Sequence, residues 1–317
     1  MKKVVRLIVP FLLSVTLLSS GVAFAADLGS VNAAPIDAEP MLPEDTFYNE
    51  GSAYIASKAM TDQELLDAGL TEIQLEELRA FSMEDALLER AQLPTDILHA
   101  YGYTDEQIVL LREYDGSPLT ENSAVLAATS DCVGTYDIGN YSTRSISFTY
   151  TWTWSIVPLV KMEDTVVVAW QGVRKPDNLY FDLTPSTNIM YLHFYNMTSG
   201  ARASSQDISV QGVHSSTQDY TSFRFDMTTK DNYYWAKEGV VYLTLYPDSS
   251  SSPINYIDLG AGYGHQTLEG SYTFSVSPSL EVSFSSDFPI QVIVVQEDNA
   301  SGRVYSDGRC QNYGSTI

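Results

Sequence analysis

Two hydrophobic periods divide this chain. Between residues 61 and 114 apolar residues recur at helical spacing, and Leu65, Leu66, Leu75, Leu78, Leu87, Leu88, Leu98, Ile108 and Leu111 make the stripe. The spacing predicts short helices over 61–68, 72–80, 83–91, 94–101 and 105–114. From residue 145 the period falls to two. In SISFTYTWTWSI (145–156), Ile146, Phe148, Tyr150, Trp152, Trp154 and Ile156 share one face, and Ser or Thr fills the other. That is the pattern of a half-buried strand. Further strands are predicted at 165–170, 179–183, 189–196, 206–213, 220–226, 239–246, 254–259, 271–277, 279–284 and 289–295, with turn residues between them. The fold expected is mainly β with a separate α region. Its C-terminal domain reads as an antiparallel β-sandwich or jelly-roll-like double sheet, preceded by a small helical module. A closed barrel is the alternative.

The helix boundaries carry their own chemistry. Thr61-x-x-Glu64, Thr71-x-x-Gln74, Ser82-x-x-Asp85 and Thr104-x-x-Gln107 are spaced as capping boxes or their close relatives. Gly69 and Gly102 stand where a helix must stop. Setting one glycine on the other aligns Leu65 with Leu98, Thr71 with Thr104, Gln74 with Gln107, Leu78 with Leu111 and Arg79 with Arg112, an internal repeat of 33 residues. Two copies are too few for a solenoid.

Five segments follow. Residues 1–25 read as a signal peptide: Lys2, Lys3 and Arg6 lead, an apolar run from Leu7 to Leu18 follows, and Ala23-Phe24-Ala25 ends it. Residues 26–45 are a spacer rich in acids, Pro and Ala; 46–114 form the helical module; 115–130 are a linker; 131–317 form the β-sandwich domain. No transmembrane segment is expected once the leader is removed, because the run is shorter than the roughly 20 residues a spanning helix needs.

Charge refines this picture. Losing the three basic leader residues moves the formal charge from −23 to −26. Such a chain repels nucleic acid and suits a basic surface or protein partner. Residues 26–130 hold 21 acids against 4 bases, while 131–317 hold 19 against 10. Repulsion from so acidic a module is expected to disfavour a tight face between helices and strands, and the β domain alone is expected to fold. Cys132 and Cys310 bracket that domain. An exported protein can carry a disulfide between them, and closing so long a loop stabilises by at most about 5 kcal/mol.

Catalytic patterns are absent: there is no G-x-S-x-G, H-E-x-x-H, phosphate-cradling glycine loop or C-x-x-C. His265 closes Gly-Ala-Gly-Tyr-Gly-His (260–265), where a turn or bulge is expected and where glycines let a ligand approach the backbone. Tyr233-Tyr234-Trp235, beside an Asp-Asn turn, is the predicted aromatic platform for a sugar ring. Trp152 and Trp154 are assigned to the core. Glu163-Asp164, Glu269, Glu281 and Glu297-Asp298 are the acids a glycosidase reading would draw on. No cofactor is expected beyond loosely held calcium at Gln296–Asn299.

The segments TDQELLDAGLTEIQLEEL (61–78) and GYTDEQIVLLREYDGSPLTENS (102–123), with Trp152-Thr153-Trp154 before an acidic strand start, resemble uncharacterised secreted proteins of Gram-positive bacteria. The resemblance implies export and the two-part build, and carries no activity to transfer. The function expected is that of a secreted, extracellular, non-enzymatic binding or structural protein, carbohydrate-binding or cell-surface-binding in its most concrete form. A secreted hydrolase acting on polysaccharide or cell wall through paired carboxylates is the alternative.

Overall fold

The structure is a computed structural model. It describes residues 46–312 apart from 68–69, 160, 162, 176, 204–207, 211–212, 217–219, 230, 248–252, 267–272, 277–281, 286–293, 296–299 and 308–309. Residues 1–45, where a leader and a spacer are expected, lie outside the described residues.

The module begins with a short strand, β1 (Thr46–Asn49), and six helices follow: α1 (Glu50–Ala59), α2 (Asp62–Asp67), α3 (Glu72–Ala80), α4 (Met83–Ala91), α5 (Thr95–Ala100) and α6 (Asp105–Glu113). Five of these fall where the apolar spacing puts them, and α1 is additional. Thr71 and Thr104 form complete capping boxes, and Asn49 and Ser82 cap α1 and α4 through their side chains. The 33-residue repeat is structural. Leu65 and Leu98 are both fully buried, as are Leu78 and Leu111. Arg79 donates to the Met60 carbonyl, and its counterpart Arg112 donates to the carbonyls of Ala91 and Leu93, the second of which is the repeat position of Met60.

The β region opens with β2 (Asp131–Tyr141) and β3 (Ile146–Trp154), followed by β4 (Glu163–Arg174), β5 (Tyr180–Phe181), β6 (Leu183–Asn196), β7 (Ile208–Val210) and β8 (Val213–Ser216). Then come β9 (Tyr220–Asp226), β10 (Tyr234–Pro247), β11 (Ile254–Gln266), β12 (Thr273–Val276), β13 (Val282–Ser285), β14 (Val294–Val295), β15 (Ala300–Tyr305) and β16 (Cys310–Asn312). The fold is mainly β and antiparallel, with the helices gathered in a separate N-terminal region. Sheet A has the order β1-β2-β3-β10-β6-β7. Sheet B runs β16-β15-β11-β4-β9-β8, with β14 beside β11 and β5 beside β4.

The inner faces of the two sheets meet through aromatic rings. Trp152 of sheet A stacks on Phe225 of sheet B with centroids 5.1 Å apart and planes 10° from parallel, and it leans on Tyr263 at 5.0 Å. Gly239, opposite Trp152 in the ladder, leaves room for the indole: a Cβ there would lie 2.5 Å from the ring. All four tryptophans are buried, so the assignment of Trp152 and Trp154 to the core stands.

Helices and sandwich meet closely, against the expectation of a loose join. The loop after β3 is gripped from three sides. Arg90 of α4 donates to the Val157 carbonyl at 3.0 Å, the Val157 amide donates to the Tyr101 carbonyl at 2.8 Å, and the Glu50 carboxylate accepts the Leu159 amide at 2.9 Å. From residues 115–130, Val125, Ala128, Thr129 and Ser130 are buried, and Ser130 accepts from the Glu50 amide. The physical reason is placement. Total charge sets the long-range repulsion, but the contact itself is made by a guanidinium, backbone groups and one carboxylate that accepts hydrogen bonds. Glu72, Glu76, Glu106 and Glu113 point to solvent.

Candidate functional site

Alternation along sheet A places two kinds of side chain outward. On β3 the outer row is Ser147, Thr149, Thr151 and Thr153, each half-buried. Beside it on β10 run Glu238, Val240, Tyr242, Thr244 and Tyr246, and the next strand, β6, presents Thr187, Ile189, Tyr191 and His193. Tyr242 and Tyr246 are 42% and 44% exposed. Tyr191 stands edge-on to Tyr242, ring centroids 5.6 Å apart at 81°. The register pairs Tyr191 with Val240 and Tyr242 with Ile189, so the two rings lie diagonally over an apolar floor. Thr244 shares a hydrogen bond with Ser147 at 3.1 Å. The result is a face of flat phenol rings bordered by rows of hydroxyls. At its edge His193 Nδ1 and Glu238 Oε1 lie 3.1 Å apart.

The predicted platform is only partly a surface. Tyr233 is 49% exposed and stands edge-on to the half-buried Tyr234 at 5.1 Å, but Trp235 is 1% exposed and points into the core. Trp235 cannot stack on a ligand from there, and the expectation is corrected for that residue. The strand starts at Tyr234, five residues earlier than the spacing predicts, and a bulge between Ala236 and Glu238 resets which side chains face inward.

His265 is likewise not at a ligand-facing loop. Gly260, Gly262 and Gly264 are regular members of β11, paired with Ala169, Val167 and Thr165, so the expected turn or bulge is replaced by straight strand. Their alternates Ala261, Tyr263 and His265 face the core. His265 is 1% exposed, and its Nδ1 lies 2.7 Å from Asp164 Oδ1. Tyr263 donates to the other oxygen of Asp164 and accepts from Trp154 Nε1 at 3.0 Å, joining the two sheets through polar groups. Burial, then the charge of Asp164, push the Tyr263 phenol well above its ordinary pKa. Nothing in the sequence pairs Asp164 with His265; it is read there beside Glu163 as one of the acids a glycosidase would draw on.

Cys132 is buried on β2, and the side chain of Cys310 lies outside the described residues, so their pairing stays a proposal. Glu163 and Asp164 are successive on β4 and point to opposite faces: Glu163 approaches Arg224 at 3.7 Å while Asp164 is buried. They do not face each other across a cleft. Glu269, Glu281, Glu297 and Asp298 lie outside the described residues, as does the predicted calcium turn at 296–299. Among the described residues no group of three or more His, Cys, Asp and Glu is placed to hold a metal, and no helix is long and apolar enough to cross a membrane.

The β10 part of the tyrosine face is hard to read in the sequence because 239–246 (GVVYLTLY) reads first as apolar. Its signal is nevertheless there: Tyr242, Thr244 and Tyr246 alternate with Val241, Leu243 and Leu245.

No protein-family model matches this chain, and no curated protein does. Among solved structures it is similar to one titled "AvmM Catalyzes Macrocyclization in Alchivemycin A Biosynthesis", at 12% identity and a TM-score of 0.26, over 65% of this chain and 97% of that one. It is also similar to one titled "pH-induced modulation of Streptococcus parasanguinis adhesion by Fap1 fimbriae", at 9% identity and a TM-score of 0.21, over 58% of this chain and 80% of that one. At these scores neither likeness bears on function.

Proposed function

We propose that this chain is an exported, non-enzymatic binding protein whose β-sandwich presents the outer face of sheet A to carbohydrate. The observation that carries the reading is the Tyr191–Tyr242 pair, outward-facing beside Tyr246 among rows of Ser and Thr. A pyranose ring has an apolar face, which stacks on a phenol, and equatorial hydroxyls, which exchange hydrogen bonds with side-chain hydroxyls. A sheet supplies such a face already rigid, so little ordering entropy is lost on binding. The formal charge of −23 for the full chain disfavours anionic polymers and leaves neutral or cationic sugars as the ligand class. Export rests on the leader at 1–25. The acidic helices suit a basic surface or protein as a second partner.

The test is a glycan array probed with the purified mature chain, alongside the Tyr191→Ala and Tyr242→Ala variants. Retention on one group of neutral or amino-sugar glycans, lost in both variants, is the expected result. Retention that survives both substitutions moves the site elsewhere, and an empty array removes the carbohydrate reading.

A further inference from the structure

Sheet B carries a row of tyrosines of its own, on the side of the sandwich that faces away from sheet A. On β4, Asp164, Val166, Val168 and Trp170 point inward, so by alternation Val173 faces out. The ladder sets Val173 between Tyr180 of β5 and Tyr256 of β11, and sets Tyr305 of β15 against Tyr256. Directly paired residues project from the same face, so the three phenols line up across four strands, with the buried Val173 between the first two. Tyr180 is 66% exposed. Tyr256 and Tyr305 are half-buried, their ring centroids 5.4 Å apart at 57°.

A fixed pair of amides stands at the end of the row. Asn178, two residues before Tyr180, is held at φ +55°, in the left-handed region that Asn tolerates better than most side chains. Asn255 immediately precedes Tyr256, at an irregularity in the β11 register. Its Nδ2 donates to Asn178 Oδ1 at 2.8 Å. The bond leaves the Asn178 amide nitrogen as a donor and the Asn255 carbonyl oxygen as an acceptor, neither with a partner among the described residues.

Charge and size decide what fits there. Residues 174–182 hold two bases, Arg174 and Lys175, and two acids, Asp177 and Asp182, so this hairpin is neutral within a chain of −23. Arg174 Nε meets both oxygens of Asp177, at 3.0 and 3.1 Å, and the two satisfy each other. The row spans about 15 Å across the strands and about 7 Å along them, on the order of 100 Å². A stable protein interface needs about 800 Å² per partner, so the row is too small to hold another protein. What fits is a small uncharged ligand with one flat apolar face and neighbouring polar groups at its edge.

We propose that this row is a sugar subsite separate from sheet A, taking one or two units of a neutral pyranose. The ring face stacks on Tyr180, one hydroxyl accepts from Asn178 and its neighbour donates to Asn255. The ligand class rests on the carbohydrate reading of sheet A, while the residues are independent of it. The sheets meet through Trp152 and Phe225, so their outer faces point apart and no straight glycan strand reaches both. With one ring well exposed, this subsite is the weaker of the two. On a polymer with many repeats even a weak second contact lets one chain bridge two strands.

The experiment is a nuclear magnetic resonance titration of the mature chain with cellohexaose and, separately, with chitohexaose. With at least one of them, the backbone amides of residues 178–181 and 255–257 should shift along a saturable curve. The same shifts should persist in Tyr242→Ala and in Tyr180→Phe, which keeps the ring, and weaken at least about tenfold in affinity in Tyr180→Ala. Shifts confined to β6 and β10 would overturn this subsite and leave the sheet A reading standing. Shifts confined to residues 178–181 and 255–257 would uphold it and remove the site on sheet A. Shifts there that vanish in Tyr242→Ala, or that Tyr180→Ala leaves unchanged, would overturn it, and so would silence throughout with both sugars.

Discussion

Gly102 shows how one residue can be fixed from two directions. Its φ of +99° lies in the left-handed region, and a Cβ would sit 2.6 Å from the Ser155 carbonyl oxygen. The sequence reads it as a helix stop, which it is; that the same position also lets the module approach the sandwich is not visible in the spacing. Gly102→Ala should therefore strain both the turn and the junction and cost about 1–3 kcal/mol, seen as a lower midpoint in urea. An unchanged midpoint would mean that the loop after β3 is not held where we describe it. Gly239→Ala should cost a similar amount, about 1–3 kcal/mol, by forcing the Trp152 indole off Phe225, and should change the near-ultraviolet circular dichroism as well. A folded Gly239→Ala protein with an unaltered aromatic spectrum would contradict that packing.

At the scale of elements, what was legible followed from local rules. Helices α2 to α6 are readable from apolar spacing, with a hydroxyl residue (Thr61, Thr71, Ser82 or Thr104) before four of them, Pro94 before α5, and Gly69 and Gly102 in the sequence after two. The strand β3 was readable because its alternation is unbroken over nine residues. Helix α1 was missed: EGSAYIASKA buries Glu50, Gly51 and Ser57, polar or small residues whose partners lie far along the chain. Strand β2 was missed because Gly134, Asp137, Gly139 and Asn140 give it the composition of a turn, although Cys132 and Tyr136 face the core. The tyrosine face needed the strand register, and the Asp164–His265 pair needed β4 beside β11, and both are long-range facts. The capping boxes are tests at this scale. Thr71→Ala and Thr104→Ala should each lower stability by about 1 kcal/mol, and to a similar degree, since the two sites are repeats. Thermal melts showing a loss at one site and none at the other would argue against a shared architecture.

The molecule as a whole behaves, in this reading, as one packed body with the helices as a structural part of it. Its hydrophobic core runs from Leu65 and Leu111 of the module to Trp170 and Leu259 of the sandwich, and β1 extends sheet A. Cutting at residue 131 removes β1, Glu50 and Arg90 and uncovers Ile156 and Val157. The isolated 131–317 fragment should consequently melt at least about 10 °C below the mature chain, or bind a hydrophobic dye in its absence. Equal melting temperatures would restore the picture of an autonomous sandwich.

The proposed carbohydrate site is the face of sheet A rather than its rim, and the distinction can be measured. Calorimetric titration of the mature chain with an array-positive oligosaccharide, repeated on Tyr242→Ala and Tyr233→Ala, separates the two locations. Affinity is expected to fall at least about tenfold, or about 1.4 kcal/mol, in Tyr242→Ala and to change little in Tyr233→Ala. Equal binding by wild type and Tyr242→Ala, with the loss confined to Tyr233→Ala, would contradict it and place the ligand at the hairpin before β10.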